Sequence, residues 1–299
     1  MKFPEVIDSS ALATWRACKR KFLYEVLRRL VPGKGISVHL LAGGAIAKGL
    51  EVARKAFYME GLPIDEAETK GFLALTKFYG DFEPPELSNR KSWVRVAGAY
   101  LYYLDYFPLG RDPVTPYKGN SGIEFSFAIP LDQFNPDHDS DPVIFAGRVD
   151  LLGVYNKGIF IMDDKTRSQL GPFWSGQWSL RGQFLGYCWA AIQHEIPING
   201  VIVRGLKFGQ NDFSIAQALE QYPQWLIDER CIGMVQDVRD LIRAYQHRDD
   251  PRAFPKCFAE ACVSYGGCPF KDICRRSDPE PWHKQDFVVV EWNPLKKGD

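Results

Sequence analysis

A chain of 299 residues, 45% hydrophobic and 25% charged, is long enough to bury a sizeable core and has the make-up of an ordinary globular protein. Its 37 Lys and Arg balance 37 Asp and Glu, so no global positive field draws it to nucleic acid; such a partner would be held by local basic patches. Apolar runs fall well short of the ~20 residues of a membrane span, and no apolar signal stretch follows the first lysine, so a cytoplasmic protein without a membrane partner is expected. No linker-like tract divides the chain, which predicts one elaborated domain over 1–299.

Residues 1–110 read as helical. "SSALATWRACKRKFLYEVLRRLVPG" opens on serines, closes on Pro-Gly, and spaces Leu12, Trp15, Cys18, Phe22 and Val26 like one face of a single long helix. "VHLLAGGAIAKGLEVARKAFYMEG", "DEAETKGFLALTKFYG" and "SWVRVAGAYLYYLDYF" predict three more helices, with "DFEPPELSNRK" a loop before the last. The texture changes over 120–220. "GIEFSFAIPLD" alternates Ile123, Phe125, Phe127 and Ile129 as a strand with one buried face, and "NPDHDSDP" reads as an acidic loop. "GRVDLLGVYNKGIFIMDDKT" reads as a hairpin, "LRGQFLGYCWAAIQHEI" as a helix and "GVIVRGLKF" as a strand. A further helix, "PQWLIDERCIGMVQDVRDLIRAYQ", and a late strand, "DFVVVEW", complete the pattern. Strands interleaved with helices and one antiparallel hairpin predict an α/β (mixed α+β) fold, a central mixed β-sheet flanked by helices.

The hairpin carries acids where a buried strand is normally apolar. A two-residue turn at Lys157-Gly158 pairs residue 156 with 159 and sets Asp150 opposite Lys165, with Asp163 on the same face and Asp164 on the other. Opposed strand neighbours lie ~5 Å apart and diagonal ones ~7 Å, so the two carboxylates can share a hard divalent ion such as Mg²⁺ or Mn²⁺. The same spacing also suits a hairpin end with solvated charges and a cross-strand ion pair of little consequence.

"GRVD", then "DDKT" on the next strand, then "QFLGY" on the following helix together resemble the PD-(D/E)XK nuclease superfamily, in particular its RecB-like branch. The resemblance implies a restriction-endonuclease-like core at 120–220 in which Asp150, Asp163 and the backbone carbonyl of Asp164 bind the metal and Lys165 supports the attacking water. It assigns the branch's Q-x-x-x-Y pair to Gln183 and Tyr187, which would complete the catalytic set by holding Lys165 or the DNA backbone; standing alone, the two read as a surface Gln and a core Tyr. Members of the branch carry a metal-binding His in the early helix where this chain has Ala47. Glu51, one turn on, is either a substitute oxygen ligand or an ordinary exposed helix Glu.

Four of the seven cysteines crowd into 250–280 as Cys257, Cys262, Cys268 and Cys274. Three thiolates at five-residue gaps need a fourth ligand for Zn²⁺ or an iron–sulfur cluster, and Cys257 is nearest in sequence. One Cys near the start with three near the end resembles the iron–sulfur nucleases of the same branch, the AddB-type helicase–nuclease subunits and the Cas-four-like exonucleases. That likeness implies a [4Fe–4S] cluster on Cys18, Cys262, Cys268 and Cys274, with the 250–280 segment packed on the Cys18 helix. Cys188 and Cys231 read as packing residues.

Arg16, Lys19, Arg20 and Lys21 beside Cys18, and Lys271, Arg275 and Arg276 beside Cys274, form either a patch for a DNA backbone or an ordinary solvated face. Trp174 and Trp178 are candidates to stack on unpaired bases, or to pack. The expected function is a Mg²⁺- or Mn²⁺-dependent DNA exonuclease acting on single strands or ends in recombination, repair or DNA processing, with possible partner proteins there. The alternatives are a catalytically impaired DNA-binding or scaffold protein on the same fold, favoured by Ala47 and the zero net charge, and a zinc-stabilised relative.

Overall fold

The computed structural model describes residues 1–33, 38–81, 91–119, 121–208, 212–263 and 267–290. The first half of the chain runs β1 (Val6–Ile7), α1 (Ser9–Ala17), α2 (Lys19–Phe22), β2 (Leu30–Pro32), α3 (Val38–Tyr58), α4 (Ile64–Tyr79), α5 (Trp93–Tyr106), β3 (Thr115–Pro116) and β4 (Ile123–Asn135). The second runs β5 (His138–Tyr155), β6 (Gly158–Arg167), α6 (Gly182–Gln193), β7 (Ile198–Phe208), β8 (Phe213–Glu220), α7 (Gln224–Gln246), α8 (Lys271–Cys274), α9 (Glu280–Asp286) and β9 (Phe287–Val289). Two compact units result, one of Met1–Gly35, Ser126–Gly147 and Trp225–Asp299, the other of Ile36–Phe125 and Arg148–Gln224.

The second unit contains a mixed sheet in the order β5, β6, β7, β8, with β3 also on β5. β5 and β6 are antiparallel, β6 and β7 parallel, and β7 and β8 antiparallel. The sheet is flanked by helices, as the interleaved pattern predicts: α3 and α5 contact it on one side of the Asp163–Lys165 triplet through Asp164, while Lys165 lies against Phe184 of α6. Helices α3, α4 and α5 bury Ile46, Leu50, Leu75, Val96 and Tyr100 together with Leu206 and Phe208 of β7. α3 and α4 approach through glycines: a Cβ on Gly71 would meet the Tyr100 hydroxyl at 2.2 Å and the Gly49 carbonyl at 2.6 Å.

The hairpin turn falls one residue earlier than expected. Tyr155 pairs with Gly158, leaving Asn156 and Lys157 as the two loop residues, both with positive φ (47° and 67°). This is the primed turn that matches strand twist, and Asn is tolerated there whereas Lys is strained. Gly158 is needed instead for close approach, because a Cβ there would meet the Phe160 ring at 2.8 Å and the Asn199 side chain at 3.0 Å. The shift moves the expected partner of Asp150 from Lys165 to Asp163. Since the displacement is two residues, Asp150 still shares a face with Asp163 and Lys165.

In the first unit the expected single long helix is interrupted. Cys18 takes an extended conformation (φ −164°, ψ 111°), ends α1, and accepts the Lys21 N–H on its Sγ at 3.4 Å as it starts α2. After α2 the backbone widens into a π-turn at Leu23–Leu27 and then enters β2, which pairs antiparallel with β9. Most of the expected acidic loop is strand: Asp137 N–H bonds to Asn135 Oδ1 in a tight turn, and β5 begins at His138. The Asp137 carboxylate then accepts from Phe3 N–H (2.7 Å) and the Tyr245 hydroxyl (2.9 Å). Most of "DFEPPELSNRK" and the end of "DFVVVEW" lie outside the described residues.

Lys157→Gly should relieve the left-handed strain at the turn, and urea unfolding is expected to show about 0.5–1 kcal/mol of added stability after the entropy cost of glycine. A loss of stability would contradict this turn assignment.

Candidate active site

The regular ladder between β5 and β6 reaches Leu151↔Met162, and one step beyond it stand Asp150 and Asp163. Here a carboxylate continues the strand contact: Asp150 Oδ2 accepts the Asp164 N–H at 2.8 Å. Asp163 is buried, and Lys165 Nζ comes within 2.6 Å of its Oδ1. This buried oxygen therefore has the ammonium beside it as an ion-pair partner. The Lys165 ammonium also lies 5.9 Å from the Phe184 ring.

Burial, followed by repulsion from Asp163 and Asp164, drives the Asp150 carboxyl well above its ordinary value, against the pull of Lys165. Burial likewise raises Asp163, with Lys165 opposing. Hard oxygens and mutual repulsion that one lysine does not overcome are the chemistry a divalent cation relieves. Magnesium commonly binds through one or two carboxylates while keeping several waters, so the pair fits such an ion without a dense side-chain cage. Among the described residues no three His, Cys, Asp or Glu side chains form a chelating group by themselves.

Asp164 turns away from this pair. Its Oδ1 accepts from the Tyr103 hydroxyl at 2.6 Å and its Oδ2 from Arg54 Nη2 at 2.8 Å, so only its main chain is left toward Asp150. Glu51 is buried on α3 and paired with Lys48 (3.2 Å) and Lys55. Burial works against its charge, but the two lysines prevail and hold its carboxyl below the usual value. Gln183 and Tyr187 meet each other across one turn of α6, Gln183 Nε2 donating to the Tyr187 hydroxyl at 3.1 Å. Trp174 and Trp178 are buried and pack edge to face, so their rings are not free for bases; Phe173 beside them is 84% exposed.

Two features escape a reading by motif. Glu124 is a largely buried carboxylate with φ 55° that pairs with Arg148 Nε at 2.7 Å. Burial raises its carboxyl, and Glu51 is close enough to add to the rise. A Glu inside the alternating "GIEFSF" run was the available signal. The second is the cluster of Arg54, Tyr103, Asp112 and Arg204, whose members stand singly in helices, a loop and a strand.

In the first unit the chain brings the terminal cysteines together. Burial raises the Cys268 thiol, with the Phe270 backbone and Lys21 opposing and neighbouring Cys18 and Cys262 adding to the rise; burial, Cys268 and Cys18 push Cys274 up to about 11. Cys257 Sγ lies 3.6 Å from Cys262 Sγ. The segment is tied to the Cys18 turn by Arg20, whose N–H donates to Pro255 O and whose Nε donates to Phe254 O at 2.7 Å. Cys188 is buried, as expected of a packing residue, whereas Cys231 is only half-buried. Several of the expected DNA-facing cations have protein partners: Arg16 with Asp237, Lys21 with Glu25, Lys19 over Trp15 and Arg276 over Trp282. Arg275 lines a surface pocket with Arg276 and Asp272.

The family model of the PD-(D/E)XK nuclease superfamily matches residues 9–275 of the chain. A solved structure described as "Crystal structure of SSO0001" is similar at 15% identity and TM-score 0.33, over 88% of this chain and 96% of that one. No curated protein matches.

Because the folded metal-free protein raises both carboxyls, the pair contributes most to stability at low pH, below the unfolded value near 3.8, and that contribution is lost as pH rises through the folded values. Asp150→Asn is therefore expected to raise the melting temperature of the metal-free protein at neutral pH and to abolish the further rise that Mg²⁺ or Mn²⁺ gives the unaltered chain. Calorimetry with and without chelator checks both; a lower metal-free melting temperature would count against the repulsion.

Proposed function

We propose that this chain, which belongs to the PD-(D/E)XK nuclease superfamily, is a RecB-like exonuclease that hydrolyses phosphodiester bonds of single-stranded DNA or DNA ends and carries an iron–sulfur cluster. The observation that carries the nuclease reading is the Asp150–Asp163 pair, half-buried and buried respectively, with Lys165 against it. Superfamily nucleases typically use Mg²⁺ or Mn²⁺; here Asp150, Asp163 and the Asp164 carbonyl would hold it. Such an ion, when bound, offsets charge on the scissile phosphate and makes water easier to deprotonate.

The protein's own groups do the rest. Lys165 is held by Asp163, and its ammonium can orient a water toward phosphorus and stabilise charge gathering on the phosphate oxygens. The Asp164 N–H fixes one oxygen of Asp150 and leaves the other for a cation. Gln183 and Tyr187, bonded to each other, present a fixed polar edge of α6 suited to Lys165 or a DNA phosphate. Glu51, with its charge already balanced by Lys48 and Lys55, serves best through a bridging water.

The cluster reading is supported by the convergence of Cys18, Cys262, Cys268 and Cys274 and by the backbone break that presents Cys18. A cubane is itself a body of four irons and four sulfides, so its thiolates need not gather around one point as ligands of a single Zn²⁺ must. Arg20 and Arg275 beside it would extend a positive surface for a DNA backbone.

Asp150→Ala and Lys165→Ala should each reduce divalent-dependent digestion of end-labelled linear single-stranded DNA by about a hundredfold or more while circular strands stay intact in all proteins. Undiminished digestion by either folded variant would overturn the assignment, and DNA binding without cleavage under any divalent ion would favour the impaired-nuclease reading that Ala47 suggests. Anaerobically purified protein is expected to be brown and to contain iron and sulfide, lost in Cys18→Ala and kept in Cys257→Ala. A colourless zinc protein would contradict the cluster.

A further inference from the structure

Asp164 stands between Asp163 and Lys165 in β6, and strand alternation sends its side chain to the opposite face. There its two oxygens meet Arg54 and Tyr103. The Tyr103 oxygen also accepts from Arg54 Nη2 at 3.1 Å and Arg204 Nη1 at 3.2 Å, so one donated and two accepted bonds use the hydroxyl's full capacity. Arg204, the register partner of Asp164 on β7, grips Asp112 with both terminal nitrogens (2.7 and 2.6 Å) and Gln217 with Nε (3.0 Å). Its guanidinium lies 3.6 Å from the centre of the Phe107 ring. Two arginines and two aspartates thus cancel inside the protein, where an unpaired charge is severely penalised.

None of these side chains faces the proposed reaction, yet the network ends at the peptide that holds Asp150. The β5–β6 ladder stops at Leu151↔Met162, and the Asp164 N–H to Asp150 Oδ2 bond joins the strands beyond it. Rotating that peptide would carry Asp150 away from Asp163, and the orientation of the peptide is coupled to the carboxylate on its own Cα. We propose that Arg54 and Tyr103 are positioning residues for the metal pair: by clamping the Asp164 carboxylate behind β6, they aim the Asp164 N–H at Asp150 and so preorganise Asp150 and Asp163 for one divalent ion. The inference rests on the reading of that pair as metal ligands. Groups that hold ligands from behind commonly change metal affinity ten- to a hundredfold.

The test titrates the full-length protein with Mn²⁺ in the absence of DNA and counts free ion by electron paramagnetic resonance. Tyr103→Phe keeps the ring and removes the hydroxyl; it is expected to fold, by circular dichroism, and to bind Mn²⁺ about tenfold or more weakly. Val96→Ala, a cavity in the core on the same helix, controls for general loosening and should lower the melting temperature while binding Mn²⁺ like the unaltered chain. If Tyr103→Phe does not fold, Arg54→Lys, which keeps the charge and loses the guanidinium geometry, should show the same weakening. Unchanged affinity in the folded clamp variant, or equal weakening in Val96→Ala, would overturn the clamp. Failure of the unaltered protein to bind Mn²⁺, or unchanged binding by Asp150→Ala, would instead overturn the metal-site reading, and the clamp with it.

Discussion

Two carboxylates set side by side, Asp163 buried and Asp150 half-buried, repel each other where little water screens them, and the architecture around β5 and β6 answers that repulsion. Asp150 receives one backbone N–H, Asp163 receives the Lys165 ammonium, and both remain raised above their ordinary carboxyl values. A fold optimised only for stability would place apolar side chains here, because replacing buried charge with well-packed hydrocarbon is often neutral or stabilising. Keeping two acids at the end of a buried hairpin is intelligible where a hard cation completes the charge balance.

The two-residue period of a β-strand does the sorting. In the run Asp163-Asp164-Lys165 the outer residues face Asp150 and the middle one faces α3 and α5, so adjacent acids enter opposite environments. Asp163 meets a single flexible ammonium, whereas both Asp164 oxygens are fixed by Arg54 and Tyr103. That difference separates a carboxylate left available to a ligand from one committed to the structure.

How much of this is legible in the sequence depends on how local the cause is. The helices over Val38–Tyr58, Ile64–Tyr79, Trp93–Tyr106 and Gln224–Gln246 follow from apolar spacing and end signals, which act within a few residues. The hairpin is readable in kind although the turn is misplaced by one residue, since Asn-Lys and Lys-Gly both offer two-residue loops; the sharing of a face by Asp150 with Asp163 and Lys165 survives because parity, not position, decides it. The break at Cys18 is hidden because the apolar period runs straight through it, and only the thiol cap and the contacts of Arg20 with Phe254 and Pro255 reveal it. β8, "FSIAQALE", lacks a fully buried alternating face and takes its identity from pairing with β7. The Arg54, Tyr103, Asp112 and Arg204 network is invisible in one dimension, since its members are up to 150 residues apart and each alone resembles an ordinary surface residue.

Whether alternation along β6 delivers Asp163 to a cation shared with Asp150 and withholds the Asp164 side chain can be read from anomalous diffraction by crystals of the full-length protein grown with Mn²⁺. A manganese peak is expected between the Asp150 and Asp163 carboxylates, within reach of the Asp164 carbonyl, with the Asp164 side chain still on Arg54 and Tyr103. A peak coordinated by the Asp164 carboxylate, or none at the Asp150–Asp163 pair in saturating Mn²⁺, would contradict it.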